Sequence, residues 1–355
     1  MANSLNCAID LIGARIAISN PERVVFSVGT QINGIPHIGT YLVQTTSFVL
    51  AGMIQEKFDI PCEVCFGALD NAPYDITQGK DGTEFQRAYG HVLSSLELHD
   101  LLSVHYLDFF DELAKIVGIS YSWSTYKDQQ SMPSFRYQFI KSLQFQEVIR
   151  WCVAPSNGIL RVRLPNSDDD FYAQKRGEHT KIIYTGKDKV LFRCRARDGR
   201  FYEKMVSVDG DDGTYLDLNT LYRNVIKEAV YSQENGTLGV MVKGGDWTMS
   251  TQPVDWALGA LGYTSVNTPM RFFTPQVITG TGAKLSKSLI RDNDGSMFDV
   301  PNWLLDMSKF REEHPDYVSK MIWLVQQFLS HPRHMFRCYT YTEIMRLLEA
   351  YRKEE

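Results

Sequence analysis

Val24-Val25-Phe26-Ser27-Val28 is an apolar run that leads, through a short polar step, into Gly34-Ile35-Pro36-His37-Ile38-Gly39-Thr40. From Gly39 to Lys57 the apolar residues Tyr41, Leu42, Phe48, Val49 and Met53 recur at helical spacing. Pro61 to Asp70 then reads as a second buried strand ending in a carboxylate. Strand, helix and strand in this order make a βαβ unit, which requires a parallel sheet. Ligands of such sheets bind beyond the C-terminal ends of the strands, where both Pro36-His37 and Asp70 fall. Gly39 lets the backbone come close to an anion, and a helix that starts there presents free N–H groups to it.

A second segment, Gly282-Ala283-Lys284-Leu285-Ser286-Lys287-Ser288, follows the apolar run Phe272 to Ile278 and the flexible Thr279-Gly280-Thr281-Gly282. Two lysines three residues apart repel each other unless an anion lies between them. A polyphosphate does so, with the hydroxyls of Ser286 and Ser288 as added donors. Together with the His37 segment, the pair reads as an ATP site built for nucleotidyl transfer.

Composition narrows the alternatives. At 355 residues, 44% hydrophobic and 22% charged, the chain has the make-up of a soluble globular protein with a sizeable core. A net charge of -5 argues against a broad, non-specific nucleic-acid footprint. Met1 to Ile18 carries Asp10 and Arg15 within its apolar pattern, unlike a secretory signal, and no apolar run is long enough to span a bilayer. The six cysteines are scattered, so a reducing, cytoplasmic location without membrane contact is expected.

The pattern divides the chain into residues 1–105, the first half of a nucleotide-binding domain; 106–215, a connective helical and β-rich insertion; 216–290, the second half with the lysine loop; and 291–355, a short helical segment. Within the insertion, Leu160–Arg163, Lys181–Tyr184 and Val190–Arg193 alternate as short strands, with Asp168–Asp170 and Asp209–Gly213 as turns. Helical spacing returns at Leu218–Ala229, and a strand at Leu238–Val242 runs into Lys243-Gly244-Gly245-Asp246-Trp247. The expected fold is α/β, a Rossmann-like (HUP-type) parallel sheet with a β-rich insertion and a helical C-terminal region.

The two segments resemble the His-Ile-Gly-His and Lys-Met-Ser-Lys-Ser signatures of class I aminoacyl-tRNA synthetases, here His37-Ile38-Gly39-Thr40 and Lys284-Leu285-Ser286-Lys287-Ser288. The chain is most similar to the archaeal-type class I lysyl-tRNA synthetase, whose first motif also lacks the last histidine. The resemblance extends to Phe66–Asp75, Phe109–Leu113, Tyr126–Leu143 and Lys243–Trp247. It implies ATP-dependent activation of an amino acid, lysine or a similar one, as its adenylate, with magnesium carried by ATP. Transfer to the acceptor end of a tRNA would follow.

By that resemblance, His37 contacts the α-phosphate, and Lys284 and Lys287 neutralise the departing pyrophosphate. Pro36, Gly39, Thr40, Gly244, Gly245, Asp246, Ser286 and Ser288 shape the nucleotide site, with Asp246 toward the ribose. Asp70 is the candidate for the amino acid's ammonium, with a helix cap or turn as the equal alternative. Cys62 and Cys65 have the spacing of half a zinc site. Cys152 and Cys194 stand alone, so no zinc is expected, and the first two are assigned to strand packing. The stretch after residue 290 is too short for the helical anticodon-reading domain of the lysyl enzymes. Two further readings therefore stand beside the synthetase: the same adenylation with a non-tRNA amine acceptor, and a non-catalytic paralogue.

Overall fold

The computed structural model describes residues 5–155, 158–287, 290, 295–297 and 299–351. Its centre is a sheet of five strands: β1 (Arg23–Gln31), β2 (Cys62–Leu69), β3 (Tyr121–Thr125), β4 (Thr237–Gly244) and β5 (Met270–Thr274). They lie in the order β5-β4-β1-β2-β3, and every neighbouring pair is parallel. This is a Rossmann-like sheet, in which the chain moves outward from β1 through β2 to β3 and then returns to the other side of β1. The order reverses between β1 and β4, so a crevice opens at the C-terminal ends of those two strands.

Strand parity gives the sheet two different faces. Val24, Phe26, Val28, Val64, Phe66, Leu238 and Val240 face one way, into a large apolar core shared with the Ile38–Phe58 helix. That helix is buried for most of its length and ends at Asp59, whose φ of 49° is left-handed. The Asp108–Val117 helix joins the same core, where Phe110 packs edge-on to Phe66 and tilted against Phe48. The other face carries small residues, and the register aligns them in rows: Ser27 beside Cys65 beside Ser122, then Gly29 beside Gly67 beside Ser124. The Thr220–Tyr231 helix covers that face, backed by a second core around Phe139, Tyr222, Val225 and Leu258.

The division drawn from the sequence differs from the fold at two places. The strand Tyr121–Thr125 is the edge of the central sheet and the Asp108–Val117 helix packs in its core, although both fall within 106–215. The strand reads Tyr-Ser-Trp-Ser-Thr, a period-2 alternation of aromatic and small polar residues that the division overlooked because it is only five residues long. The insertion does contain a three-stranded antiparallel sheet, Lys181–Thr185, Lys189–Arg195 and Phe201–Ser207. Outside it, Pro73–Gln78 and Glu84–Ala88 form a hairpin that also pairs with Ala173–Gln174. The C-terminal region is helical but contributes a strand, Cys338–Thr340, parallel to Gln276–Ile278 at the base of the lysine loop. Its helix Tyr317–Leu329 packs on the Ile38–Phe58 helix through Met321, Leu324, Val325 and Phe328.

Candidate active site at the ends of the first and fourth strands

A cleft of about 430 Å³ occupies the crevice, lined by β1 (Ser27, Gly29, Thr30, Gln31), the His37 turn, β4 and the lysine loop. His37 is the N-cap of the Ile38–Phe58 helix, and its Nδ1 accepts from the Gly39 N–H at 3.1 Å. Glycine is required at 39 for this: a Cβ there would lie 2.9 Å from His37 Cε1. His37 is 7% exposed, and its pKa is pushed down to about 3 by burial and by the charges of Lys287 and Lys284. The ring is therefore neutral at physiological pH. With Nδ1 accepting, the proton sits on Nε2, which is left as a hydrogen-bond donor.

The lysine loop is held at its base by backbone pairing. Leu285 N–H donates to Val277 O at 3.0 Å and Thr279 N–H to Ala283 O at 2.7 Å, with Gly282 at φ 86° in the turn between. Leu285 is buried, so the two lysines flank an apolar anchor. Lys284 Nζ lies 2.5 Å from Asp246 Oδ2. Lys287 Nζ donates to the carbonyl of Gln31, the last residue of β1, at 2.7 Å and to the Tyr106 hydroxyl at 2.9 Å. Burial lowers the Lys287 pKa to about 7. No carboxylate pairs with Lys287 among the described residues, so its neighbours take two of the ammonium's three hydrogens without neutralising its charge.

Asp246 follows a Gly-Gly pair at the end of β4, and close approach explains both glycines. A Cβ on Gly244 would sit 2.7 Å from Asp246 Oδ1, and one on Gly245 would sit 2.8 Å from Thr274 O. The carboxylate folds back over the strand end and meets the lysine loop there. His37, Gly39, Thr40, Gly244, Gly245, Asp246, Lys284, Ser286 and Lys287 thus line one cleft, although they come from opposite ends of the chain. Pro36 stands just outside it, buried, with its carbonyl accepting from Met307 N–H at 3.0 Å. Ser288 lies outside the described residues.

Asp70 is placed elsewhere. It is fully buried, Oδ1 accepts from the Lys127 N–H at 3.1 Å at the start of the Tyr126–Ser131 helix, and a Cβ on Gly90 would collide with its Oδ2. It is absent from the residues that line the cleft. Burial raises its pKa to about 6, against the lowering effect of backbone N–H groups at Lys127 and Tyr126. Cys62 and Cys65, an odd number of residues apart on β2, face opposite sides of the sheet and cannot share an ion. Arg136 is clamped by Asp212, Ser207 O and Thr214 O and supports the insertion instead of the cleft.

Sequence reasoning missed several residues of the cleft wall: Thr220, Arg223, Asn224 and Lys227 of the Thr220–Tyr231 helix. A signal was present, because Arg223 and Lys227 are four residues apart and stand among the apolar residues Tyr222, Val225, Ile226 and Ala229.

No protein-family model and no curated protein matches the sequence. Solved structures do show likeness. A Campylobacter jejuni protein designated an arginyl-tRNA synthetase is 11% identical with a TM-score of 0.33, over 82% of this chain and 66% of that one. Tryptophanyl-tRNA synthetase from Plasmodium falciparum is 10% identical with a TM-score of 0.35, over 97% of this chain and 81% of that one. The Giardia lamblia tryptophanyl-tRNA synthetase is 10% identical with a TM-score of 0.35, over 98% and 84%. The chain spans just under two thirds of the arginyl protein's length.

Proposed function

We propose that this protein is an ATP-dependent ligase of the aminoacyl-tRNA synthetase type, activating a carboxylic acid as its acyl-adenylate. The observation that carries this reading is the convergence, in one cleft at the strand-order reversal, of a neutral histidine at a helix N-terminus and two lysines on a loop. In the reaction, a carboxylate oxygen bonds to the α-phosphorus, the bond from that phosphorus to the bridging oxygen breaks, and pyrophosphate leaves. No proton moves and no side chain becomes a nucleophile. The protein's contribution is position and charge neutralisation.

His37 Nε2–H donates to an α-phosphate oxygen beside the positive end of the helix dipole. Lys284 and Lys287 exchange their present partners, Asp246, Gln31 O and the Tyr106 hydroxyl, for the β- and γ-phosphates. Asp246, once released, is free to accept from the ribose hydroxyls. Among the described residues no three metal-ligating side chains gather, and Asp246 is the one carboxylate lining the cleft. Magnesium therefore fits as an ion carried by the nucleotide. When bound it supplies further neutralisation of the phosphates.

Lysine is the amino acid that the resemblance suggests, and the acceptor is a tRNA end or another amine. Asp70 is proposed to support the helix capped by Thr125, through Oδ1 and the Lys127 N–H; its Oδ2 has no hydrogen-bond partner among the described residues. No described helix is long and apolar enough to cross a membrane, and the protein is proposed to work in the cytoplasm. The test is acid-dependent exchange of labelled pyrophosphate into ATP, run with and without total tRNA. Exchange abolished by Lys287→Ala supports the ligase, whereas no exchange with any acid, with or without RNA, overturns it in favour of a non-catalytic paralogue.

A further inference from the structure

Beyond the lysine loop the cleft runs beneath the Thr220–Tyr231 helix. Thr220, Arg223, Asn224 and Lys227 recur every three to four residues and so share the face that lines it. A second cavity of about 150 Å³ lies under the C-terminal half of the same helix. Its floor is the row of small residues on the sheet, Cys65, Gly67, Ser122 and Ser124, and its wall is Tyr231 and Trp123. Ser27 and Lys227 line both cavities and mark the throat between them.

The charges around this throat do not balance. Lys243 is bound by Glu228 at 3.1 Å, and Glu228 also takes Arg271 at 2.5 Å. Arg223 donates to Asn71 Oδ1 at 3.1 Å. Lys227 pairs with no carboxylate among the described residues. Lys227 is held below the usual lysine range, at about 8, first by burial and then by Lys243 and Arg223, against the opposing influence of Cys65 and Glu228. Glu234, at the edge of the smaller cavity, faces Arg23 and Glu63 instead. Among the described residues the one carboxylate lining the cleft, Asp246, is engaged by Lys284. An ammonium is thus left with no carboxylate in contact among the described residues, and Glu228, the carboxylate whose charge reaches it, is already shared by Lys243 and Arg271, while no carboxylate of the cleft is left to receive an ammonium.

We propose that the acid activated in this cleft carries a second anionic group, received by Lys227 at the throat, so that the substrate is an acidic amino acid or a dicarboxylic acid and not lysine. The inference rests on the adenylation reading above for the first carboxylate, and on the cavity and its unbalanced charge for the second. An incoming carboxylate gives Lys227 the partner it lacks, whereas a lysine side chain places a second ammonium beside it.

The test pairs exchange kinetics with calorimetric binding, using L-glutamate, L-aspartate and glutarate against L-glutamine and L-lysine, on the wild type, Lys227→Met and Lys227→Arg. One of the acidic probes is expected to exceed glutamine and lysine in kcat/KM by about 100-fold. Lys227→Met should raise the KM of that acid at least about tenfold and leave the KM of ATP within about twofold, while Lys227→Arg retains binding. Preference for lysine or glutamine, or a Lys227→Met effect on ATP alone, overturns the inference and leaves adenylation standing. If no acid supports exchange, adenylation fails, and calorimetry decides the rest. Binding of an acidic probe that is lost in Lys227→Met and kept in Lys227→Arg upholds the anion site, and no binding in the wild type removes it.

Discussion

The two faces of the central sheet are made from alternate residues of the same strands and do opposite work. One face presents Val24, Phe26, Val28, Val64 and Phe66 to helices that bury them completely. The other presents Ser27, Gly29, Cys65, Gly67, Ser122 and Ser124, which leave room for two cavities and for charged side chains of the helix above. Large side chains that interdigitate give stability and leave no space, while small ones give up burial and leave a floor on which a ligand can lie. Stability and function are thus separable along a single strand, residue by residue.

That separation can be broken in graded ways. Phe26→Ala, on the filled face, is expected to cost about 3–5 kcal/mol through lost burial and a cavity, read as a drop in the denaturation midpoint. A loss under about 1 kcal/mol would mean that this face is not the main source of stability. Lys287→Ala should lower the adenylation rate by about 100- to 1000-fold, as for other donors to developing charge, with amino-acid binding and folding nearly unchanged. Equal losses in rate and binding would make it a structural lysine. For His37→Ala the expected loss is smaller, about 10- to 100-fold in rate, because the backbone donors of the helix terminus remain. An unchanged rate would remove the imidazole from the mechanism.

The acid–base behaviour of the cleft sharpens the comparison further. Lys287 titrates near 7 in the free protein, and only its charged form attracts phosphate. ATP binding should therefore take up a proton and weaken as pH rises from 6 to 9, while Lys287→Arg, which stays charged, should flatten that dependence. His37, with its pKa near 3, stays neutral across this range and adds nothing to the slope. A wild-type affinity independent of pH would show that the ammonium is fully protonated before the nucleotide arrives. The smallest effect is expected from Ser122→Ala on the open face, within about 0.5 kcal/mol of wild-type stability by denaturant titration. A larger loss would show that the open face also contributes to folding.

Much of the frame is legible in the amino-acid sequence alone. The apolar run at 24–28, the helical spacing from 39 to 57 and the run at 61–70 appear as β1, the Ile38–Phe58 helix and β2. The His37 turn and the lysine loop do line one cleft. The strand Tyr121–Thr125 carries only a short signal, aromatic residues alternating with serines over five positions at a sheet edge, which is easily lost between two helical patterns. Asp70 illustrates a different limit. A carboxylate at the C-terminal end of a parallel strand stands where ligands bind, but its side chain turns to the backbone of Lys127, a choice made by an element 57 residues away. The opposite orientation of Cys62 and Cys65, in contrast, follows from strand parity alone.

Local pattern, then, determined the elements, their parallel arrangement and the two segments proposed to carry phosphate chemistry, because periodicity, glycine and charge act on neighbouring residues. Only the tertiary structure decided that Lys287 would rest on Gln31 and Tyr106, that Asp246 would meet Lys284, and that Lys227 would stand at the throat of the cleft with no carboxylate in contact among the described residues. Those relations depend on which distant surfaces share a dielectric and a few ångströms of space, and the packing of helices on the sheet settles that.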